Sequence, residues 1–213
     1  SLLSDKSKSL YYLSYIAFDE ETFNQQYGDK ESKAVQGYVA EFLNHKTGSV
    51  EYLALVSEGV FAFLYQSRNK QEAERRIETL INELNEYLTQ FKIEYAGLFR
   101  AGVCVLEENM DCNSESAFYN AKQGYLYAVE HKQKYSFSTK NIVAETQQNE
   151  RLRHRITQAI QDGEFQLYLQ YIVDRRGTIC GAEAVSRWQN PRDGLLSPSK
   201  YIEMMNQTGT VTM

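Results

Sequence analysis

Apolar positions along this chain switch between a period of two and a period of three to four, and the switching lays out the elements. Residues 9–18 are dense in Tyr, Leu and Ile and stop at an acidic cluster, which predicts a strand. Asp19 is placed to cap the helix that follows, with Glu20 and Glu21 favourable in its first turn. Gly28 interrupts that helix, and a second runs to about Leu43 with Val35, Val39, Phe42 and Leu43 on one face. Two apolar segments, 52–56 and 60–65, flank Ser57-Glu58-Gly59 with the spacing of a tight hairpin. The longest helical pattern is 71–91, where Ala73, Ile77, Leu80, Ile81, Leu84 and Leu88 recur at three and four residues. A strand over 95–105, a helix over 114–132 and a short edge strand over 135–138 follow. Strands alternating with helices, plus one hairpin, predict an α/β sandwich of about 140 residues with a mixed sheet.

Residues 140–151 are polar and read as a linker. A helix then runs through Gln161 with Leu152, Ile156, Ala159 and Ile160 as its apolar side, and Gly163 stops it. Strands over 165–173 and 178–188, a loop over 190–198 and a helix over 199–206 complete the pattern. Both prolines, Pro191 and Pro198, fall in this last part. Two strands and two helices are too little for an independent core of the usual size. The expected organisation is a first domain over 1–139, a linker over 140–151 and a truncated second domain over 152–213.

Composition narrows the classes. The 213 residues carry a net charge of −5 with no basic stripe, which excludes the ordinary footprint of a nucleic-acid binder. The most apolar stretch, 50–65, is interrupted by Glu51 and Glu58, so no segment has the length and hydropathy of a membrane span. No signal-peptide pattern opens the chain. A cytoplasmic protein, without membrane contact from this segment, is the expectation. Cys104, Cys112 and Cys180 are far apart and read as reduced thiols. His45, His131 and His154 are scattered in polar helical contexts and suggest no zinc site.

The tail carries the more specific signal. Gly163-Glu164-Phe165-Gln166-Leu167-Tyr168-Leu169-Gln170 leads to Gly181-Ala182-Glu183-Ala184-Val185-Ser186-Arg187-Trp188, then Pro191, Gly194, Ser197-Pro198 and Tyr201-Ile202. Over about 60 residues this resembles the opening of an EAL domain, the family that hydrolyses cyclic di-GMP. The resemblance implies the first portion of a modified (β/α)8 barrel. It places Glu183 on a carboxylate that holds a divalent metal, Mg2+ or Mn2+, where such an ion activates water for attack on phosphorus. It places Arg187 and Gln170 on substrate-contacting positions, the arginine offering a planar fork of donors to phosphate. Three positions depart from the pattern: Tyr171 for the usual proline, Val185 for the leucine of the signature, and Asn206 for a frequent glutamate. The other metal carboxylates and the catalytic lysine of the family lie beyond this chain, so no cofactor and no turnover are expected of it. Read without the resemblance, Glu183 is an exposed sheet residue with Arg187 as its cross-strand partner.

The region before the linker resembles a GGDEF domain, the diguanylate cyclase fold, with its signature degraded. Asn24 falls on the guanine-contacting asparagine, although a surface asparagine is the plainer reading. The signature hairpin becomes Ser57-Glu58-Gly59-Val60-Phe61, which keeps the final phenylalanine. The two metal carboxylates of a cyclase correspond to Ile16 and Gly59, and a second guanine-contacting carboxylate to Lys33. The phosphate-binding lysine and arginine correspond to Val129 and Gln133, and the inhibitory Arg-x-x-Asp site to Gly48–Glu51, without its arginine. Phosphoryl transfer depends on positioning and on charge neutralisation by metal. The resemblance therefore implies an inactive cyclase-like domain that does not take GTP in the usual manner. The expected function is a regulatory fragment of a bacterial cyclic di-GMP signalling protein, whose inactive GGDEF-like domain relays signals to an EAL phosphodiesterase or dimerises it, with a homodimer as the expected partner state. The alternative is a non-catalytic scaffold or nucleotide sensor in which both domains are inactive.

Overall fold

The computed structural model describes residues 10–18, 20–89, 99–106 and 113–210. The elements are β1 (Leu10–Ala17), α1 (Glu20–Tyr27), α2 (Asp29–Lys46), β2 (Tyr52–Ser57), β3 (Val60–Ser67), α3 (Lys70–Thr89), β4 (Arg100–Leu106), α4 (Ser114–Glu130), β5 (Tyr135–Phe137), α5 (Lys140–Gln161), β6 (Phe165–Val173), β7 (Ile179–Asn190), β8 (Gly194–Leu196) and α6 (Pro198–Gln207). The cap expected at Asp19, the far end of the 71–91 helix, the start of the 95–105 strand and Cys112 lie outside the described residues. The chain divides into two compact units, Ser1–Thr146 and Gln147–Met213.

The first unit is built on a sheet ordered β2-β3-β1-β4-β5. β1 runs antiparallel to β3 and β4, whereas β4 and β5 are parallel, so the sheet is mixed as the hairpin implied. One face carries Tyr12, Ile16, Phe61, Phe63 and Val103, packed with Val35, Val39 and Leu43 of α2 and with the buried stripe of α3. That stripe is Ala73, Ile77, Leu80, Ile81, Leu84 and Leu88, the six positions the periodicity singled out. Burying each large side chain stabilises the fold by roughly 1.5–3 kcal/mol. On the other face, α4 lays Ala117 and Ala121 against Tyr15, Ala17 and Cys104. This approach is close because Gly102 has no side chain: a Cβ there would stand 1.9 Å from the Ala121 carbonyl oxygen and 2.0 Å from the Tyr125 nitrogen. Asn113 caps α4, its Oδ1 accepting from the Ser116 N–H at 2.8 Å.

The second unit holds a three-stranded antiparallel sheet, β6-β7-β8, with no closed barrel among the described residues. Leu152, Ile156 and Ala159 of α5 enclose Trp188 together with Tyr201 and Met204 of α6. Gly163 ends α5 at φ 69, the left-handed backbone that glycine accepts without strain.

Two features differ from the sequence expectation. The stretch 140–151 is helical and continuous with the helix expected from Leu152. Its buried stripe continues through Thr146 and Asn149, polar residues that a hydrophobic pattern does not register. The loop expected over 190–198 contains β8, paired with the end of β7. The Asn190 Oδ1 accepts the N–H groups of Arg192 and Asp193, both at 2.9 Å, and folds the chain back on itself. Among the described residues no helix is long and apolar enough to cross a membrane.

Candidate functional site

In the first unit the signature hairpin has the expected shape with different chemistry. β2 and β3 join through Glu58-Gly59, with Ser57 paired to Val60 and Gly59 at φ 68. Phe61 is 1% exposed and lies opposite Ile16 of β1. Ile16 is itself fully enclosed, so the position that the resemblance aligns with a metal carboxylate holds a core side chain. Ser57 and Glu58 are exposed, while Val60 is half-buried. Asn24, on α1, accepts the Gly28 N–H through its backbone carbonyl at 2.9 Å, and its side-chain Oδ1 is buried without a hydrogen-bond partner. It is therefore half-buried, which corrects the plain surface reading. Lys33 pairs with Asp29 one turn away, at 2.8 Å.

Glu51, which the resemblance places at the end of the inhibitory motif, is bound within the unit. Arg76 of α3 grips its carboxylate with both terminal nitrogens, at 2.5 and 2.6 Å. The Gly48 N–H donates to the same carboxylate at 2.8 Å. The guanidinium lies over the rings of Phe63 and Tyr65, 5.4 and 5.0 Å from their centroids. Burial pushes the Glu51 carboxyl up, but the hydrogen bonds from Arg76 and Gly48 outweigh it and hold it below the usual value. The sequence reading passed over Arg76. Its signal was an arginine one residue before Ile77, between the apolar stripe and the solvent face of a helix.

In the second unit, β6 and β7 bring two of the three singled-out residues together. Gln170 lies directly opposite Glu183, and Arg187 opposite Gln166. Arg187 is thus not the cross-strand partner of Glu183. The two sit four residues apart on one strand, about 13 Å at 3.3 Å per residue. Side chains alternate across a strand, so Gln166, Gln170, Glu183 and Arg187 share one face of the sheet. Gln170 and Glu183 are exposed, and Arg187 is half-buried with Nη1 donating to the Ser186 carbonyl at 2.9 Å. The opposite face of β7 anchors the strand. Trp188 is enclosed, stacked on Phe165, and its Nε1 donates to Glu164 at 2.8 Å. Glu164 also pairs with Arg155 of α5, and the Ser186 hydroxyl meets the Tyr201 hydroxyl at 2.7 Å.

This face can offer phosphate a guanidinium and offer a cation one carboxylate. Among the described residues no three His, Cys, Asp or Glu side chains gather to hold a metal ion. A hard divalent ion takes several oxygen ligands, so Glu183 with its described neighbours does not make a complete site for Mg2+ or Mn2+.

Residues 153–212 match the family model described as the EAL domain. An uncharacterised protein of Synechocystis is 37% identical over 78 residues, 36% of this chain and 11% of that protein. The bifunctional diguanylate cyclase/cyclic di-GMP phosphodiesterase MucR of Pseudomonas aeruginosa is 22% identical over 196 residues, 88% of this chain and 28% of that protein. The solved S helix-GGDEF-EAL structure of Vibrio cholerae LapD, bound to c-di-GMP, shares the fold at a TM-score of 0.58 and 14% identity. That alignment covers 97% of this chain and 48% of the solved one. The chain thus spans well under a third of the length of these two curated relatives. Residues 153–212 therefore match part of an EAL domain, and the chain as a whole is similar in fold to a GGDEF-EAL protein and in sequence to MucR.

Proposed function

We propose that the GGDEF-like region is catalytically inactive and serves as a regulatory and association module for an EAL phosphodiesterase acting on cyclic di-GMP in the cytoplasm. The observation that carries this reading is the hairpin. Where a cyclase places its two metal carboxylates, this chain has Ile16, enclosed in the core, and Gly59, a turn residue with φ 68. Glu58 adds an exposed negative charge beside the same turn, which opposes a triphosphate. In the EAL part, Glu183 would contribute one ligand to a divalent ion, and Arg187 and Gln170 would hold the dinucleotide. MucR is named as a bifunctional diguanylate cyclase/cyclic di-GMP phosphodiesterase, and the similar architecture here is read as keeping only the second activity.

The test has two arms. This chain, incubated with GTP and Mg2+ or Mn2+, is expected to form no cyclic di-GMP by chromatography, and formation overturns the inactive reading. The longer protein carrying the complete EAL domain is expected to hydrolyse cyclic di-GMP, and failure with either metal removes the phosphodiesterase reading. Tyr171 and Val185, the departures on β6 and β7, favour the second reading, a scaffold inactive in both domains, which that failure would support. Calorimetry of this chain with millimolar GTP is expected to give no heat of binding.

A further inference from the structure

Between the residues that the resemblance assigns to substrate lies one that it does not. Tyr168 of β6 stands directly opposite Val185 of β7. The pairs on either side are Gln170 with Glu183 and Gln166 with Arg187, and alternation puts all six residues on one face. Tyr168 and Val185 are thus the middle of a patch whose corners are polar. Each flanking pair is two residues away along the strands, about 6.6 Å. A molecule that touches Gln170 or Glu183 at one end and Arg187 at the other has to lie across the tyrosine. The ring is 43% exposed, and its hydroxyl is already engaged, donating to the Gln166 Oε1 at 3.3 Å. What remains for a ligand is the face of the ring. Phe165, Tyr171 and Trp188 alternate onto the opposite face of the sheet. Among the described residues, Tyr168 is therefore the one aromatic ring that β6 and β7 place on this side.

We infer that Tyr168 is a further substrate-contacting residue of the EAL part, its ring stacking on a guanine base of cyclic di-GMP. This rests on the proposed phosphodiesterase reading and adds an aromatic contact to the polar ones of Gln170, Glu183 and Arg187. The assignment follows from what the ligand carries. Cyclic di-GMP has phosphates, which suit the guanidinium of Arg187, and flat purines, which call for a flat apolar surface. An aromatic side chain supplies that surface to a base through its π-face. Val185, across from the ring, is apolar as well, so the middle of the patch holds no charge and no amide. Gln166 and Gln170 flank the ring along β6, and their side-chain amides can pair with the edge of a stacked base.

The test uses the longer protein carrying the complete EAL domain, with cyclic di-GMP as substrate and Mg2+ or Mn2+ present. Stacking of one base on an aromatic side chain is worth about fivefold to hundredfold in affinity. Tyr168→Leu keeps an apolar side chain and removes the ring, so KM is expected to rise about fivefold or more with kcat changed little. Tyr168→Phe keeps the ring and loses the bond to Gln166, and its KM is expected to stay within about twofold of the original. Thermal unfolding of both variants is read alongside, because a role in packing alone moves the midpoint of Tyr168→Leu and leaves KM in place. A KM unchanged in Tyr168→Leu, or raised as much in Tyr168→Phe, overturns the stacking contact and leaves the phosphodiesterase reading standing. An original protein that turns over no cyclic di-GMP with either metal overturns both.

Discussion

Arg76→Met is the sharpest probe of how the first unit holds its degraded hairpin. The substitution keeps the apolar stem against Phe63 and Tyr65 and removes the guanidinium. It leaves the Glu51 carboxylate, 6% exposed, still accepting the Gly48 N–H at 2.8 Å. Breaking a fully buried ion pair costs about 3–5 kcal/mol, and an exposed one is worth about 0–1 kcal/mol. Arg76 is 34% exposed, so this pair lies between those limits. A loss of about 2–3 kcal/mol is expected at neutral pH, including a contribution from the cation–π contacts.

The pH dependence makes the argument harder to satisfy by accident. In the original chain the folded Glu51 titrates below the ordinary 4.5. Its contribution is therefore fully present above that value and is lost as the pH falls through the folded pKa. In Arg76→Met the main lowering cause is gone, burial dominates, and the folded carboxyl rises. Protonation then relieves a penalty, so the deficit of the variant should shrink as the pH is lowered from 7 to 3. Urea unfolding followed by circular dichroism at pH 7, 5, 4 and 3 measures this. A deficit below about 0.5 kcal/mol at pH 7, or one constant across the series, refutes the reasoning.

Other positions give separate checks. Gly102→Ala forces a Cβ onto the backbone of α4, and a destabilisation of about 3 kcal/mol or more is expected; a midpoint unchanged in urea would mean that α4 is not seated on β4. Gly59→Ala should cost about 1–2 kcal/mol because the turn sits at φ 68, whereas Glu58→Ala at the same turn should be nearly neutral by thermal unfolding. Trp188→Phe keeps an aromatic ring and strips the hydrogen bond from Glu164. It should destabilise the second unit by about 1–3 kcal/mol, read by near-ultraviolet circular dichroism, and an unaltered midpoint would show that this bond contributes little.

What the sequence made legible follows from which forces leave a periodic trace. The α3 stripe, the hairpin and the helix stop at Gly163 are each set by a local rule, either spacing or a backbone angle that glycine tolerates, and each stands where the pattern put it. The continuation of α5 through 140–151 was hidden because Thr146 and Asn149 occupy the buried stripe as polar residues. β8 was hidden because the turn before it is made by one side chain, Asn190, accepting two backbone N–H groups. The opposition of Gln170 and Glu183 required a strand register, which is set by pairing and cannot be counted along one segment.

The same distinction explains the first unit. By resemblance, Glu51 closes a motif that lost its arginine, and Gly59 and Ile16 stand where carboxylates would hold metal. On the proposed reading, a hairpin that does no nucleotide chemistry need not keep glycines and acids at its tip, but it must still fold. In this chain the Glu51 carboxylate is turned inward to Arg76, Ile16 lies in the core, and the strand beside them presents Tyr52, Leu55 and Val56 to solvent. On the proposed reading, the unit keeps its topology while its exposed chemistry suits contact with protein better than nucleotide binding.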